Sequence, residues 1–393
     1  VDPQRTTTPR GASPDADAAL LSEALDIPEW ALRPISREPL GAGTVAGFLI
    51  GGSGPSAGEV AYVDSSGLRV PEETGMVLEG TARVWMHPAD PHLPALAPTA
   101  FGDAAATLLA RLGIEGAQLP EIVGYRPGRR AVLRVRTAER DVWVKVVRPR
   151  RIERVVSAHA ALRDHGLPVP AVRGWSPHGL MVLDAADGDP ATEAPWQPDR
   201  LLDGVSRLRE VLAGIRLDWP ARTSLRERMP WYLDRLRAQA PQRAAQLAAI
   251  DDAVDRIEPP TLDAGGATVH GDLHLGQLFL ESGAVTGLID VDTAGHGAPE
   301  DDSAAFIAHA AASALLTERI GGESGRIWRL ADAAHARWAQ DDATRALVAV
   351  QLLGHAVGAV TGGDAERGGT LIDLAERAVR DPKSPLIAAF GAA

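Results

Sequence analysis

The sequence predicts an α+β protein with its strands gathered toward the N-terminal half and helices dominating the C-terminal half. Three observations predict it. The segments Ile122–Tyr125, Ala131–Thr137 and Asp141–Val147 are short, rich in β-branched residues and separated by the turns Arg126-Pro127-Gly128-Arg129 and Ala138-Glu139-Arg140, the pattern of an antiparallel meander. From Asp199 onward most segments carry apolar residues at helical spacing: 199–214, 224–238, 241–257, 301–317, 323–340, 343–361 and 368–380. Two short strand-like runs, Gln277–Glu281 and Ala284–Asp290, interrupt those helices around the turn Ser282-Gly283.

A chain of 393 residues is too long for one ordinary core. Residues 1–18, rich in Thr, Pro, Ser, Asp and Gly, read as a disordered tail. Residues 19–112 read as an extra N-terminal unit or cap. It has a short helix over 19–31, strands at Gly43–Ile50, Glu59–Ser65 and Thr81–Met86, a Gly/Ser/Pro turn over 51–55, and a helix over Thr99–Leu112. Residues 115–184 form a small antiparallel lobe: the meander, a helix from about Arg151 to His165 ended by Gly166 and Pro168, and a buried strand at Gly179–Asp184. Residues 185–393 form the helical lobe.

Composition removes several function classes. A net charge of −12 argues against general nucleic-acid binding, which needs phosphate-neutralising basic surface. No apolar run approaches the ~18 residues that span a bilayer, so no membrane partner is expected. The start shows no basic segment followed by an apolar core, hence no secretory signal. The absence of cysteine excludes disulfides, thiolate metal sites and cysteine nucleophiles, and fits a reducing, cytoplasmic setting. No Gly-x-x-x-x-Gly-Lys-Ser/Thr is present, which excludes a P-loop enzyme.

The chemistry concentrates in Val269-His270-Gly271-Asp272-Leu273-His274-Leu275-Gly276-Gln277 and in Ile289-Asp290-Val291-Asp292. A carboxylate between two histidines, an amide five residues on and a second carboxylate pair suit the orientation of a hydroxyl and the holding of a hard divalent cation. On a strand, His270, Asp272 and His274 would share one face, which keeps a metallohydrolase in view. All but two of the 40 basic residues are arginines; the exceptions are Lys145 and Lys383. Lys145 lies in Val142-Trp143-Val144-Lys145-Val146-Val147, where a compact ammonium does what a guanidinium cannot.

The segment His270–Gln277, with Ile289-Asp290 and Gly297-Ala298-Pro299-Glu300-Asp301-Asp302, resembles the catalytic region of the aminoglycoside phosphotransferase and choline-kinase-like families. The resemblance covers roughly residues 115–380. It implies a two-lobed protein-kinase-like fold and an ATP-dependent (or other NTP-dependent) small-molecule kinase using Mg²⁺. Asp272 would be the catalytic carboxylate that aligns the acceptor hydroxyl. Asp290 and Gln277 would hold the metal, Gln277 standing where the family usually has Asn. Asp292 would add a metal contact or cap the next turn. Lys145 would contact the nucleotide α- and β-phosphates, with Glu153, the only glutamate on the following helix, as its partner, about one turn early. The hinge Val182-Leu183-Asp184 would present backbone groups, at Val182 and Asp184, to adenine. The turn Tyr125–Arg130 occupies the place of the phosphate loop, as a phosphate contact or a plain hairpin. His270 and His274 are read as braces, His274 with a possible substrate contact, and Asp302 as a cap of the next helix. The partners implied are a nucleoside triphosphate and a small hydroxyl-bearing acceptor, an aminoglycoside or amino sugar. Gln277 also resembles the loop of maltokinase-like sugar kinases, and with the uncertain Glu153 it motivates a third reading, a catalytically silent nucleotide-binding module.

Overall fold

Alternating apolar residues in the first half of the chain build two five-stranded antiparallel sheets. The computed structural model describes residues 14–52, 56, 58–71, 73–78, 82–221, 225–260, 266–380 and 386. The chain divides into two units: Val1–Val156 with Ala171–Ala185, and Ser157–Pro170 with Ala186–Ala393.

In the first unit, α1 (Pro14–Leu25) precedes β1 (Leu32–Leu40), β2 (Gly43–Ile50), β3 (Val60–Asp64), β4 (Met76–Leu78) and β5 (Ala82–Met86). The strand order is β1-β2-β3-β5-β4. Leu21 of α1 is buried with Phe48, Ile50, Val63 and Val84 of the sheet. The helix begins at Pro14, inside the stretch read as a tail; the rest of that tail, 1–13, lies outside the described residues. Proline is tolerated at a helix start, and Asp17 accepts from Arg37 of β1, which fixes the first turns. The strand β1 was not expected. Its Pro34, Pro39 and charged residues disguise it, and it is tolerated because it is an edge strand with a register shift between Pro34 and Ser36. The expected turn over 51–55 and the strand start at Thr81 fall partly outside the described residues.

Two helices, α2 (Leu96–Ala100) and α3 (Gly102–Arg111), lead to the second sheet. It comprises β6 (Glu121–Arg126), β7 (Arg130–Val135), β8 (Val142–Val147), β9 (Val172–Ser176) and β10 (Leu180–Asp184), ordered β6-β7-β8-β10-β9, with α4 (Pro149–Asp164) following β8. Leu93, Leu96 and Leu109 pack on one face, against Leu133, Val144, Val146 and Val182. Ile152 and Val155 of α4 pack on the other, against Val147, Met181 and Leu183. The edge strand β9 was also missed: Gly174 and an exposed Trp175 break its apolar alternation.

The second unit is mostly helical. After β11 (Asp189–Pro190) come α5 (Pro198–Ala213), α6 (Leu225–Gln239) and α7 (Ala244–Asp255). Then follow β12 (Ala267–Val269), β13 (Leu278–Glu281), β14 (Ala284–Leu288) and β15 (Gly295–Gly297), in two small sheets ordered β11-β13-β14 and β12-β15. The helices α8 (Pro299–Arg319), α9 (Gly325–Trp338), α10 (Asp342–Thr361) and α11 (Ala365–Arg380) complete it. Each expected helix of this region is present within a few residues of its expected bounds. Contrary to the sequence expectation, α10 is long and apolar enough by composition to cross a membrane. Most of it is buried, because it is packed by α6, α8 and α11, which is the position of a core helix.

Candidate active site

The loop after β12 turns sharply because Gly271 adopts φ +78°, a conformation glycine takes without steric cost. The turn ends the strand at Val269, so His270, Asp272 and His274 do not share a strand face as the alternation suggested. His270 is wholly buried, and its Nε2 meets the Ile289 carbonyl at 3.0 Å. Thr293 Oγ1 donates to the His270 carbonyl at 2.8 Å. His270 thereby ties the loop to the segment carrying Asp290 and acts as a brace.

Asp302 is placed differently from expectation. It is not the cap of α8, whose N-cap position is Ala298 with no side-chain hydrogen bond. From inside the first turn, its buried carboxylate accepts the backbone N–H groups of His270 and Gly271, each at 2.8 Å. Burial pushes its pKa up, while His270 and these two N–H groups pull it down. Arg209 of α5 braces the same turn through Pro299 O and Ser303 Oγ and lies over the Trp338 ring.

Asp272 follows directly and is part-exposed. Its Oδ1 lies 3.8 Å from His309 Nε2. The His309 ring stacks on His274 with centroids 4.4 Å apart and meets His355 edge-on at 4.3 Å. Burial and the neighbouring His309 hold His274 down to about 4 and His355 down to about 3, so both are neutral at pH 7. His309 and His355 were missed. One signal was available: His309 lies two helical turns after Asp302, on the same face of α8.

Asp272 also lines a small pocket with Asp301 of α8 and Gln351 of α10. Gln351 is about nine-tenths buried on a core helix, and its side chain hydrogen-bonds no described residue. The buried Oδ1 of Asp301 also lacks a hydrogen-bond partner. Burial, then Asp302 and Glu300, raise the Asp301 carboxyl to about 6.

The residues expected to hold a cation lie in the same unit. Asp290 sits at φ +59°, ψ +40°, a left-handed conformation costing about 1–3 kcal/mol and concentrated at functional positions. Ile289 N–H donates to the Gln277 carbonyl at 2.9 Å, which joins the two motifs. Gln277 is buried in a 3-10 turn, and its Nε2 lies 3.0 Å from His274 Nε2. His274 Nδ1 accepts from Gly276 N–H at 3.1 Å, which puts the ring proton on Nε2, so the Gln277 amide satisfies the ring by turning its oxygen toward it. Asp292 is buried in the adjoining turn. Among the described residues no three His, Asp or Glu side chains form a metal cluster.

In the first unit, Lys145 is buried on β8, paired with Val132 and Met181. Glu153 lies on α4 and is exposed. Val182 lies mid-ladder between Val144 and Gly174. Asp184 N–H donates to the Ala171 carbonyl at 3.0 Å and its carboxylate pairs with Arg173 at 2.6 Å. The hairpin turn Arg126–Arg129 is held from the N-terminal region: Asp90 accepts from Gly128 N–H at 2.7 Å and from Tyr125 OH at 2.9 Å.

The sequence model of the phosphotransferase enzyme family matches residues 121–332, more than half of the chain. The chain belongs to this family. As a family member it is a small-molecule phosphotransferase, a kinase with an alcohol group as acceptor. No curated protein matches it by sequence. Among solved structures it is similar to macrolide 2′-phosphotransferase MphH from Brachybacterium faecium (19% identity, TM-score 0.43, covering 72% of this chain and 99% of that one). It is also similar to aminoglycoside-3′-phosphotransferase of type VIII (24%, TM-score 0.41, 64% and 97%). A third is a thermostable aminoglycoside phosphotransferase APH(4)-Ia in complex with AMP-PNP and hygromycin B (16%, TM-score 0.49, 70% and 98%).

Proposed function

We propose that this phosphotransferase transfers the γ-phosphoryl group of ATP, in the presence of Mg²⁺, to a hydroxyl of an amino sugar or aminoglycoside. The observation that carries the acceptor class is the pocket joining Asp272 to Asp301 and Gln351. Asp272 accepts a hydrogen bond from the acceptor hydroxyl and points its oxygen at phosphorus. A carboxylate is a weak base, so alignment counts for more than proton removal. The Asp301 carboxyl, raised and with an uncommitted oxygen, favours an ammonium on the acceptor, which would supply the missing partner and lower its pKa. Gln351 offers both donor and acceptor to a second hydroxyl.

The cation, when bound, neutralises charge building on the transferring phosphoryl group. Asp290 and the Gln277 side chain would be its protein ligands, with Asp292 in the adjoining turn. Lys145 serves the nucleotide phosphates as a compact charge that a buried strand position holds still. Asp302 and His270 keep the Asp272 backbone in place.

Gln277 and the amide of Gln351 favour a second reading, a neutral sugar acceptor as in maltokinase-like enzymes. An assay with labelled ATP over amino sugars, aminoglycosides, disaccharides and nucleosides separates the two. The proposal predicts transfer to amine-bearing acceptors that Asp272→Asn abolishes. Transfer that survives Asp272→Asn overturns it. Mg-ATP binding without turnover on any acceptor would mark a silent nucleotide-binding module.

A further inference from the structure

A second cavity lies in the first unit. It has a volume of about 270 Å³, and its walls include Arg69, Arg148 and Arg150, with His92, Leu68 and Pro71 completing much of the lining. Three arginines thus line one cavity. Among the described residues none of the three forms an ion pair. Arg148 is half-buried and uses only Nε, donating to the Gly128 carbonyl at 2.6 Å, so its terminal N–H groups are uncommitted. The nearby carboxylates are already engaged. Asp90 accepts from Gly128, His92 and Tyr125, and Asp64 accepts from Arg83, His92 and Ser66. Burial, with Arg150, Arg129 and Arg151 close by, holds the Arg148 guanidinium below its ordinary value. The 16-residue helix α4 begins at Pro149, on the cavity wall, so the positive end of its dipole faces the same space.

We propose that Arg69, Arg148 and Arg150 form a binding site for a phosphoryl dianion, distinct from the catalytic loop. Guanidinium forks match tetrahedral oxyanions, and three of them call for more charge than one carboxylate carries. The volume is just under the ~300 Å³ at which pockets for drug-sized ligands begin, which suits a phosphate group on a small body or the free ion. Because Arg148 also holds Gly128, occupancy stiffens the hairpin turn 126–129.

Calorimetric titration of the full chain with orthophosphate and with glucose 6-phosphate tests this at matched ionic strength. One binding event is expected, weakened roughly tenfold by loss of a charged hydrogen-bonding partner in Arg69→Ala or Arg150→Ala, and weakened by added salt. Both side chains are exposed and free of hydrogen bonds to described residues, so unchanged melting temperatures would separate lost binding from lost folding. Arg148→Ala should abolish binding. Tighter binding of the ester identifies a phosphorylated small molecule; tighter binding of orthophosphate identifies the free ion. The proposal is overturned if neither anion binds. It also fails if the three variants bind as the wild type does, or if Lys145→Ala, rather than the arginine variants, removes the site.

Discussion

The Asp302 carboxylate grips the backbone N–H of Gly271, the residue immediately before Asp272, while its other oxygen takes the N–H of His270. A carboxylate can accept at both oxygens; an amide can accept at one only. Asp302→Asn therefore leaves one buried N–H facing an NH₂ group. The expected cost is about 1–3 kcal/mol of stability, read by denaturant unfolding. A loss of kcat at unchanged nucleotide affinity should accompany it. An Asn variant with wild-type kcat would show that the loop holds its shape without this carboxylate.

Gln351→Leu removes an amide from a core helix at nearly constant volume. Because the Gln351 side chain spends no hydrogen bond on a described residue, stability should hold or rise. If the amide reads the acceptor, KM for the acceptor should rise about tenfold or more while KM for ATP stays fixed. Steady-state kinetics with both substrates varied tests the split, and equal changes in both KM values would remove Gln351 from the acceptor site.

Asp301 makes stability depend on pH. Its carboxyl sits at about 6 folded against an ordinary value of 3.8. The folded state thus holds this proton more tightly. Stability is fully present below about pH 4, falls as pH rises toward 6, and is lost above it. At ~1.4 kcal/mol per unit the penalty at pH 7.5 is at most about 3 kcal/mol, less where solvent reaches the group. Asp301→Asn should raise Tm at pH 7.5 and leave it unchanged at pH 4.

His355 acts in the opposite sense. It titrates at about 3 folded, against 6.5 ordinarily. Above pH 6.5 it is neutral in both states and its contribution is complete. Below that, the unfolded chain takes up a proton that the folded chain refuses, and stability declines by up to about 1.4 kcal/mol per pH unit. His355→Gln should flatten the acid limb of a Tm-against-pH curve. An identical slope in the variant would assign that limb to other groups.

Lys145 and the His270–Gln277 loop were legible because their chemistry is local: residue type and spacing carry the information. Helices such as α5 and α9 were legible because each buries one face with a regular period. Three features were not. The edge strands β1 and β9 carry prolines, glycine or exposed aromatics that only an edge position tolerates. The role of Asp302 depends on a contact across 31–32 residues, which no period encodes. Gln351, which lines the pocket, and His355, which meets His309, come from a helix more than 70 residues beyond Asp272 in sequence, and nothing within α10 marks them as more than polar interruptions.

The packing of Leu93, Leu96 and Leu109 under β7, β8 and β10 has a practical corollary. Recognisable kinship begins at residue 121, but the residues that close the underside of that sheet lie upstream of it. A gene fragment trimmed to the shared region would encode strands with one greasy face bare. It should appear in inclusion bodies, whereas a fragment starting before Asp90 should stay in the supernatant. In this chain the border of ancestry and the border of foldability are different places.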